Sequence, residues 1–150
     1  MADDPTTTSF QLLKRMARGE VPPPPVAQLI GLELVEVDAG RAVFRLRADQ
    51  RHTNPMGTVH GGVLCDLADA AMGCAFASSI AAGETYTTLE LAINFLKPVW
   101  SGLLTATGRL VKRTRKIGLT EAEITDEKGS LVAKAKSTCL ILEGEDAKGR

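Results

Sequence analysis

Along Arg41-Ala-Val-Phe-Arg-Leu-Arg-Ala48, Ala42, Phe44, Leu46 and Ala48 fall on one side, and Arg41, Arg45 and Arg47 share the other with Val43. A period of two is that of a strand with one buried face. Residues 32–37 precede it through Asp38-Ala-Gly40, whose glycine can take the positive φ of a tight hairpin. From Gly61 the pattern changes: Val63, Leu64, Leu67, Ala68, Ala71, Met72, Ala75, Phe76 and Ile80 leave almost no polar stripe through residue 82. Such a helix is buried on most sides; its roughly 22 residues would run about 33 Å, with Gly83 as a C-terminal stop. Alternation then returns four times. Leu89, Leu91, Ile93 and Phe95 form one apolar face; Leu104, Ala106, Gly108 and Leu110 a second; Ala122 and Ile124 mark a third. In the fourth, Leu131, Ala133, Ala135, Cys139 and Ile141 oppose Lys134 and Lys136, after a turn at Glu127-Lys-Gly-Ser130.

Two strands, one long buried helix and four strands with short connections predict an α+β domain, a curved antiparallel sheet wrapped around the helix. At 150 residues there is room for one core, placed at residues 30–150. Residues 1–29 read as a lead-in: Phe10, Leu12, Leu13 and Met16 have helical spacing, and the four prolines at 22–25 end any helix there. Whether this lead-in is loose or docked on the body is open from the pattern.

Composition narrows the function. With 44% hydrophobic and 24% charged residues the chain is an ordinary globular one. Eighteen basic residues balance eighteen acidic ones, so no long-range field draws nucleic acid or an anionic membrane. No apolar run reaches the roughly 18–20 residues that span a bilayer, and the expectation is a soluble, cytoplasmic protein. Three scattered cysteines and two histidines predict neither a disulfide framework nor a metal site.

Asp66 and Asp69 interrupt the apolar helix, three residues apart and so on one face. A carboxylate in such surroundings is costly unless paired or used, and burial raises its pKa; a single wet edge that solvates both is the other reading. The helix start carries His60-Gly61-Gly62, where free N–H groups and the positive end of the helix dipole meet. Glycine there lets a ligand oxygen approach the backbone, and such an end can stabilise an oxyanion.

Asn54, His60-Gly61-Gly62, Asp69 in an Ala-rich helix, Thr88-Leu-Glu-Leu-Ala-Ile-Asn-Phe-Leu-Lys-Pro98 and the strand Ala-Lys-Ala-Lys-Ser-Thr-Cys-Leu-Ile-Leu at its end resemble the hot-dog-fold acyl-CoA thioesterases of the PaaI type, related to the 4-hydroxybenzoyl-CoA thioesterases. The resemblance runs over roughly residues 30–142. It implies an acyl-CoA substrate cleaved to a free acid and CoA, with no cofactor beyond the CoA of the substrate. It places Asp69 on the catalytic carboxylate, Gly61 on the backbone donor to the thioester carbonyl, and Asn54 on an amide that positions carbonyl or water. His60 falls on the histidine at the helix start, and Thr88 on a hydroxyl that holds water. One turn beyond the carboxylate some relatives have a threonine, and here Gly73 stands instead. Asp in place of the Glu of other members leaves nucleophile and general base both open, with general base favoured.

Gly61 and Asp69 are eight residues apart, about 12 Å along one helix, whereas both must lie within about 3 Å of one carbonyl. Two antiparallel helices about a two-fold axis would bring Asp69 of one copy to Gly61 of the other. The family pairs in this way, so the expectation is at least a homodimer and a homotetramer built from two dimers. Phosphates of CoA need local cations: Lys112-Arg-Thr-Arg-Lys116 is the densest cluster, giving Arg113, Arg115 and Lys116, with Gly62, as substrate-binding candidates; a solvated hairpin end is the other reading. Phe44, Phe76, Tyr86, Phe95 and Trp100 are the aromatic candidates for an acyl pocket. A non-catalytic acyl-CoA-binding protein is the alternative, which Asp69 argues against. An enoyl-CoA hydratase is weaker still, because Gly57 stands where its histidine would follow Asn54-Pro55.

Overall fold

A computed structural model describes residues 8–148; the first seven residues of the lead-in lie outside them. The chain runs α1 (Ser9–Ala17), α2 (Pro25–Ile30), β1 (Leu32–Asp38), β2 (Arg41–Ala48), α3 (Gly61–Ala77), β3 (Glu84–Phe95), β4 (Gly102–Arg113), β5 (Ile117–Thr125) and β6 (Leu131–Glu143). The six strands make one antiparallel sheet in the order β1-β2-β4-β5-β6-β3. The sheet wraps α3, as the pattern predicted, in the hot-dog architecture that the resemblance implied.

Two glycines set how closely the sheet approaches the helix. A Cβ on Gly108 of β4 would lie 2.2 Å from the Ala71 carbonyl oxygen, and one on Gly118 of β5 would lie 2.1 Å from the Phe76 ring. Backbone therefore meets helix directly, and Leu67, Ala68, Ala71, Met72, Ala75 and Phe76 are at most 1% exposed. Small helix residues and side-chain-free strand positions let the layers close to contact distance.

Two expectations are corrected. Helix α3 ends at Ala77, five residues before the predicted end at residue 82, because two serines intervene. Ser78 Oγ donates to the Ala75 carbonyl and accepts from Gly40 N–H, while Ser79 Oγ donates to the Phe76 carbonyl. These hydroxyls satisfy the last carbonyls and end the helix, leaving Gly83 (φ 82°) for the turn into β3. In β3 the single apolar face breaks at a bulge between Thr88 and Glu90. Leu89 is the extra residue and is 57% exposed, and the bulge lets Tyr86 before it and Leu91 and Ile93 after it all pack on the core. The wet edge left open for the helix is present in the single chain, where Gly62, Asp66 and Asp69 form an exposed stripe.

The lead-in is docked. Leu13 of α1 and Ala27 of α2 are buried in the main core. His52, only 7% exposed, is the strut: its Nε2–H donates to the Ile30 carbonyl at 2.8 Å, and its Nδ1 accepts from Asp49 N–H at 3.1 Å. Arg51 grips Asp49 beside it and holds that carboxyl down at about 2.

Candidate active site

The segment from Asn54 to His60 delivers the start of α3. Val59 N–H donates to the Val99 carbonyl and His60 N–H to that of His52, so the loop is pinned on both flanks. His60 is the N-cap, and its Nδ1 accepts from Gly62 N–H at 2.8 Å. The Gly62 donor is thereby used inside the protein. Gly61 N–H has no acceptor among the described residues. Its missing side chain is used, since a Cβ there would come within 2.9 Å of the Phe95 ring.

Asn54 organises the loop. Its Oδ1 accepts from Met56 and Thr58 N–H and its Nδ2 donates to Thr58 Oγ1. One Nδ2 hydrogen is left over, so the loop, rather than a substrate, claims most of this side chain.

Asp69 lies about two helical turns into the exposed stripe that begins at Gly62. Although exposed in the single chain, it has enough protein around it that loss of water pushes its carboxyl above the usual range; nearby Asp66 adds to this, and the Thr88 hydroxyl opposes it. Thr88 of β3 thus lies near the Asp69 carboxyl of α3. Burial and the Asp69 charge push the Cys74 thiol up to about 12, so it stays protonated and is no nucleophile.

Asp66 and Asp69 stand at the side of a cavity of about 370 Å³ between α3 and the lead-in helices. Its walls are mostly apolar, with Leu13, Met16, Ile30 and Leu34 among them, and of the aromatic candidates only Phe44 and Tyr86 line it. Tyr86 reaches it through Gly73: a Cβ at residue 73 would lie 2.7 Å from the Tyr86 hydroxyl. Among the described residues no group of three or more His, Cys, Asp or Glu could hold a metal ion, and no helix is long and apolar enough to cross a membrane.

A model of the Thioesterase superfamily matches residues 56–133, from the loop before α3 into β6. The chain belongs to that superfamily. It is 33% identical over 114 residues to a 1,4-dihydroxy-2-naphthoyl-CoA hydrolase of Listeria monocytogenes, covering 76% of this chain and 93% of the other. It is 30% identical over 108 residues to the acyl-coenzyme A thioesterase PaaI of Escherichia coli, covering 71% of this chain and 75% of the other. Among solved structures, a phenylacetic acid degradation-related protein from Ralstonia eutropha superposes with a TM-score of 0.77 at 35% identity, over 85% of this chain and 98% of the other. The E. coli PaaI protein superposes with a TM-score of 0.79 at 25% identity, over 91% and 98%. The protein is a thioester hydrolase of the hot-dog fold.

Within this thioesterase the basic cluster divides. Arg113 is committed: its guanidinium donates to both Glu84 carboxylate oxygens, at 2.7 and 2.6 Å, and to the Ser79 carbonyl at 2.6 Å, tying β4 to the turn after α3. Arg113 is therefore engaged within the chain, whereas Arg115 and Lys116 are exposed. Two residues that the sequence reading gave no role, His52 as a strut and Gly73 as an opening, take theirs from partners far away in the chain. Only a contact map would have supplied that signal.

Proposed function

We propose that this thioesterase hydrolyses acyl-CoA thioesters at sites shared between two copies of the chain. Asp69 acts as general base on a water held by the Thr88 hydroxyl, while Gly61 N–H of the second copy receives the developing oxyanion. The tetrahedral intermediate then collapses, expelling the CoA thiolate and leaving the free acid. What supports the reading is a carboxylate near a hydroxyl, at the side of an apolar cavity, on the helix whose first N–H is unpartnered among the described residues. A raised pKa suits a base, because it must be ionised yet accept a proton near working pH. The names of the relatives, a naphthoyl-CoA hydrolase and an acyl-CoA thioesterase, support CoA as the leaving group.

The second copy is required by distance. Gly61 and Asp69 lie on one regular helix, so they stay about 12 Å apart in a single chain. Strand β3 is a sheet edge whose outer side is unpaired along its 12 residues, an arrangement that invites strand addition. A two-fold axis near the middle of β3 would set two α3 helices antiparallel and cover the exposed stripe. The proposed assembly is a homodimer, doubled to a homotetramer, working in the cytoplasm. Carboxylate, hydroxyl and N–H groups suffice for the chemistry, so the reading calls for no metal or organic cofactor. Arg115 and Lys116 are the proposed cations for the CoA phosphates, His60 holds the helix start, and the spare Asn54 hydrogen faces carbonyl or water.

The test is thiol release from a panel of aromatic and aliphatic acyl-CoA thioesters. The wild type is expected to release CoA, and Asp69→Asn to lose about 10²-fold or more in kcat while keeping its fold. Near-normal turnover by that variant would remove Asp69 from the mechanism.

A further inference from the structure

Tyr86 is half-buried on β3 and reaches across the face of α3. Its ring stands edge-on to Phe76, with centroids 5.1 Å apart and planes at 88°, which fixes its direction across α3. Its hydroxyl ends over Gly73, in space that any side chain at residue 73 would fill. Gly73 is buried in the middle of a helix, where glycine costs about 1 kcal/mol relative to alanine. The φ there is ordinary, so the conformation does not call for glycine; room for the phenol does. The hydroxyl has no hydrogen-bond partner among the described residues and, unlike the sealed Thr120 hydroxyl, it opens into the cavity that Tyr86 lines. A mostly buried tyrosine usually finds a partner for its O–H.

The cavity has the shape of a chamber with a reactive rim. Its volume of about 370 Å³ amounts to about a dozen water-sized volumes, enough for an acyl group and too little for a whole acyl-CoA. Helices α1 and α2 supply the wall opposite α3, through Leu13, Met16 and Ile30. Asp69 and Gly73 are four residues apart on α3, so the phenol sits about 6 Å further along the helix than the carboxylate. An acyl group entering past Asp69 therefore meets aliphatic walls and, about 6 Å in, one unpaired hydroxyl.

We infer that this chamber holds the acyl group, and that Tyr86 is a specificity residue that selects acyl groups carrying an oxygen substituent about 6 Å from the thioester carbon. This deepens the acyl-CoA reading and rests on it. Burial also keeps the phenol protonated, with its pKa pushed above the ordinary value, so Tyr86 is a donor at all working pH. A site built to hydrogen-bond a substrate oxygen discriminates against the analogue that lacks it, because its own polar group is then left unpaired.

The experiment compares kcat/KM within two pairs, 4-hydroxybenzoyl-CoA against benzoyl-CoA and 6-hydroxyhexanoyl-CoA against hexanoyl-CoA, so that ring and chain carriers of the oxygen are separated. The wild type is expected to favour the oxygenated member of at least one pair by about 10-fold or more, and Tyr86→Phe to bring that ratio close to one, through KM more than kcat. Gly73→Ala drives a methyl into the phenol oxygen and is expected to lose the same preference, with no further loss in the Tyr86→Phe background, where the clashing atom is gone. Met16→Trp tests the chamber itself and is expected to cut kcat/KM for the six-carbon and aryl groups about 10-fold relative to acetyl-CoA. Hydrolysis with no oxygen preference, or a preference that survives Tyr86→Phe, overturns the selection while the acyl-CoA reading stands. Equal effects of Met16→Trp on acetyl and bulky groups overturn the chamber. Failure of every thioester in the panel defeats the acyl-CoA reading and this inference with it.

Discussion

The two sides of α3 use glycine for opposite ends. Toward the sheet, Gly108 and Gly118 remove side chains so that helix and strands touch, and no space is left between them. Toward the lead-in, Gly73 removes a side chain so that space remains, and a phenol from β3 projects into it. The closed side has Ala71, Met72 and Phe76 at most 1% exposed, whereas the open side carries Asp66 and Asp69. One helix thus serves as core and as active-site floor. The closed side can be tuned only at a cost in stability, and the open side only at a cost in chemistry.

Breaking the closed side should have the largest effect. Gly108→Ala places a methyl against the Ala71 backbone, which cannot yield without moving the helix. The expected loss is about 3 kcal/mol or more in urea unfolding, at the top of the usual range for overpacking. A change below about 0.5 kcal/mol would mean that the layers are not in contact there.

On the open side, Asp69→Asn should cost about 10²-fold in kcat, with the opposite sign on stability. Folding raises the pKa of this carboxyl. Its ionisation therefore opposes folding, an effect absent below the ordinary carboxylate range and fully developed once pH has risen through the raised value. Thermal unfolding at neutral pH should show Asp69→Asn at or above the wild-type Tm, and a clear drop would show that the ionised carboxylate is held by favourable contacts.

His52→Ala sharpens the boundary between the two sides. It leaves the Ile30 carbonyl and the Asp49 N–H without partners, at about 1–3 kcal/mol for buried groups. The lead-in should loosen first, so limited proteolysis between α2 and β1 should speed up before global unfolding shifts. Thr88→Val should lower kcat, because the proposed water loses its anchor, and it should also move the Asp69 pKa. The Thr88 hydroxyl holds the Asp69 pKa down against burial, so its loss should move the acid limb of the kcat/KM profile to higher pH, and a shift to lower pH would contradict that geometry.

The closed side was the more legible in the sequence. Period-two strands, a helix with apolar residues on most sides and a strand order set by short connections are local signals, and they place the sheet, the helix and Asp69 on it. What was hidden depended on contacts between distant residues. The bulge at Leu89 changes which side chains of β3 face in, and no alternation pattern announces it. The early end of α3 depends on Ser78 reaching Gly40 of the first hairpin. Arg113 reads as a member of a basic run until Glu84, 29 residues earlier, is seen beside it. Gly73 reads as a missing hydroxyl, yet a hydroxyl from β3 fills its place.

The shared site is tested most directly by complementation. Gly61→Pro keeps a residue suited to the first helical position but deletes its N–H, with Phe95, itself 54% exposed, able to swing away from the new ring. This variant and Asp69→Asn should each be nearly inactive. Mixed after subunit exchange, they should recover up to about a quarter of wild-type thiol release, because half of the dimers are then hybrids, each with one of two sites whole. Confirmed exchange without any recovery would contradict a site built from Asp69 of one copy and Gly61 of the other.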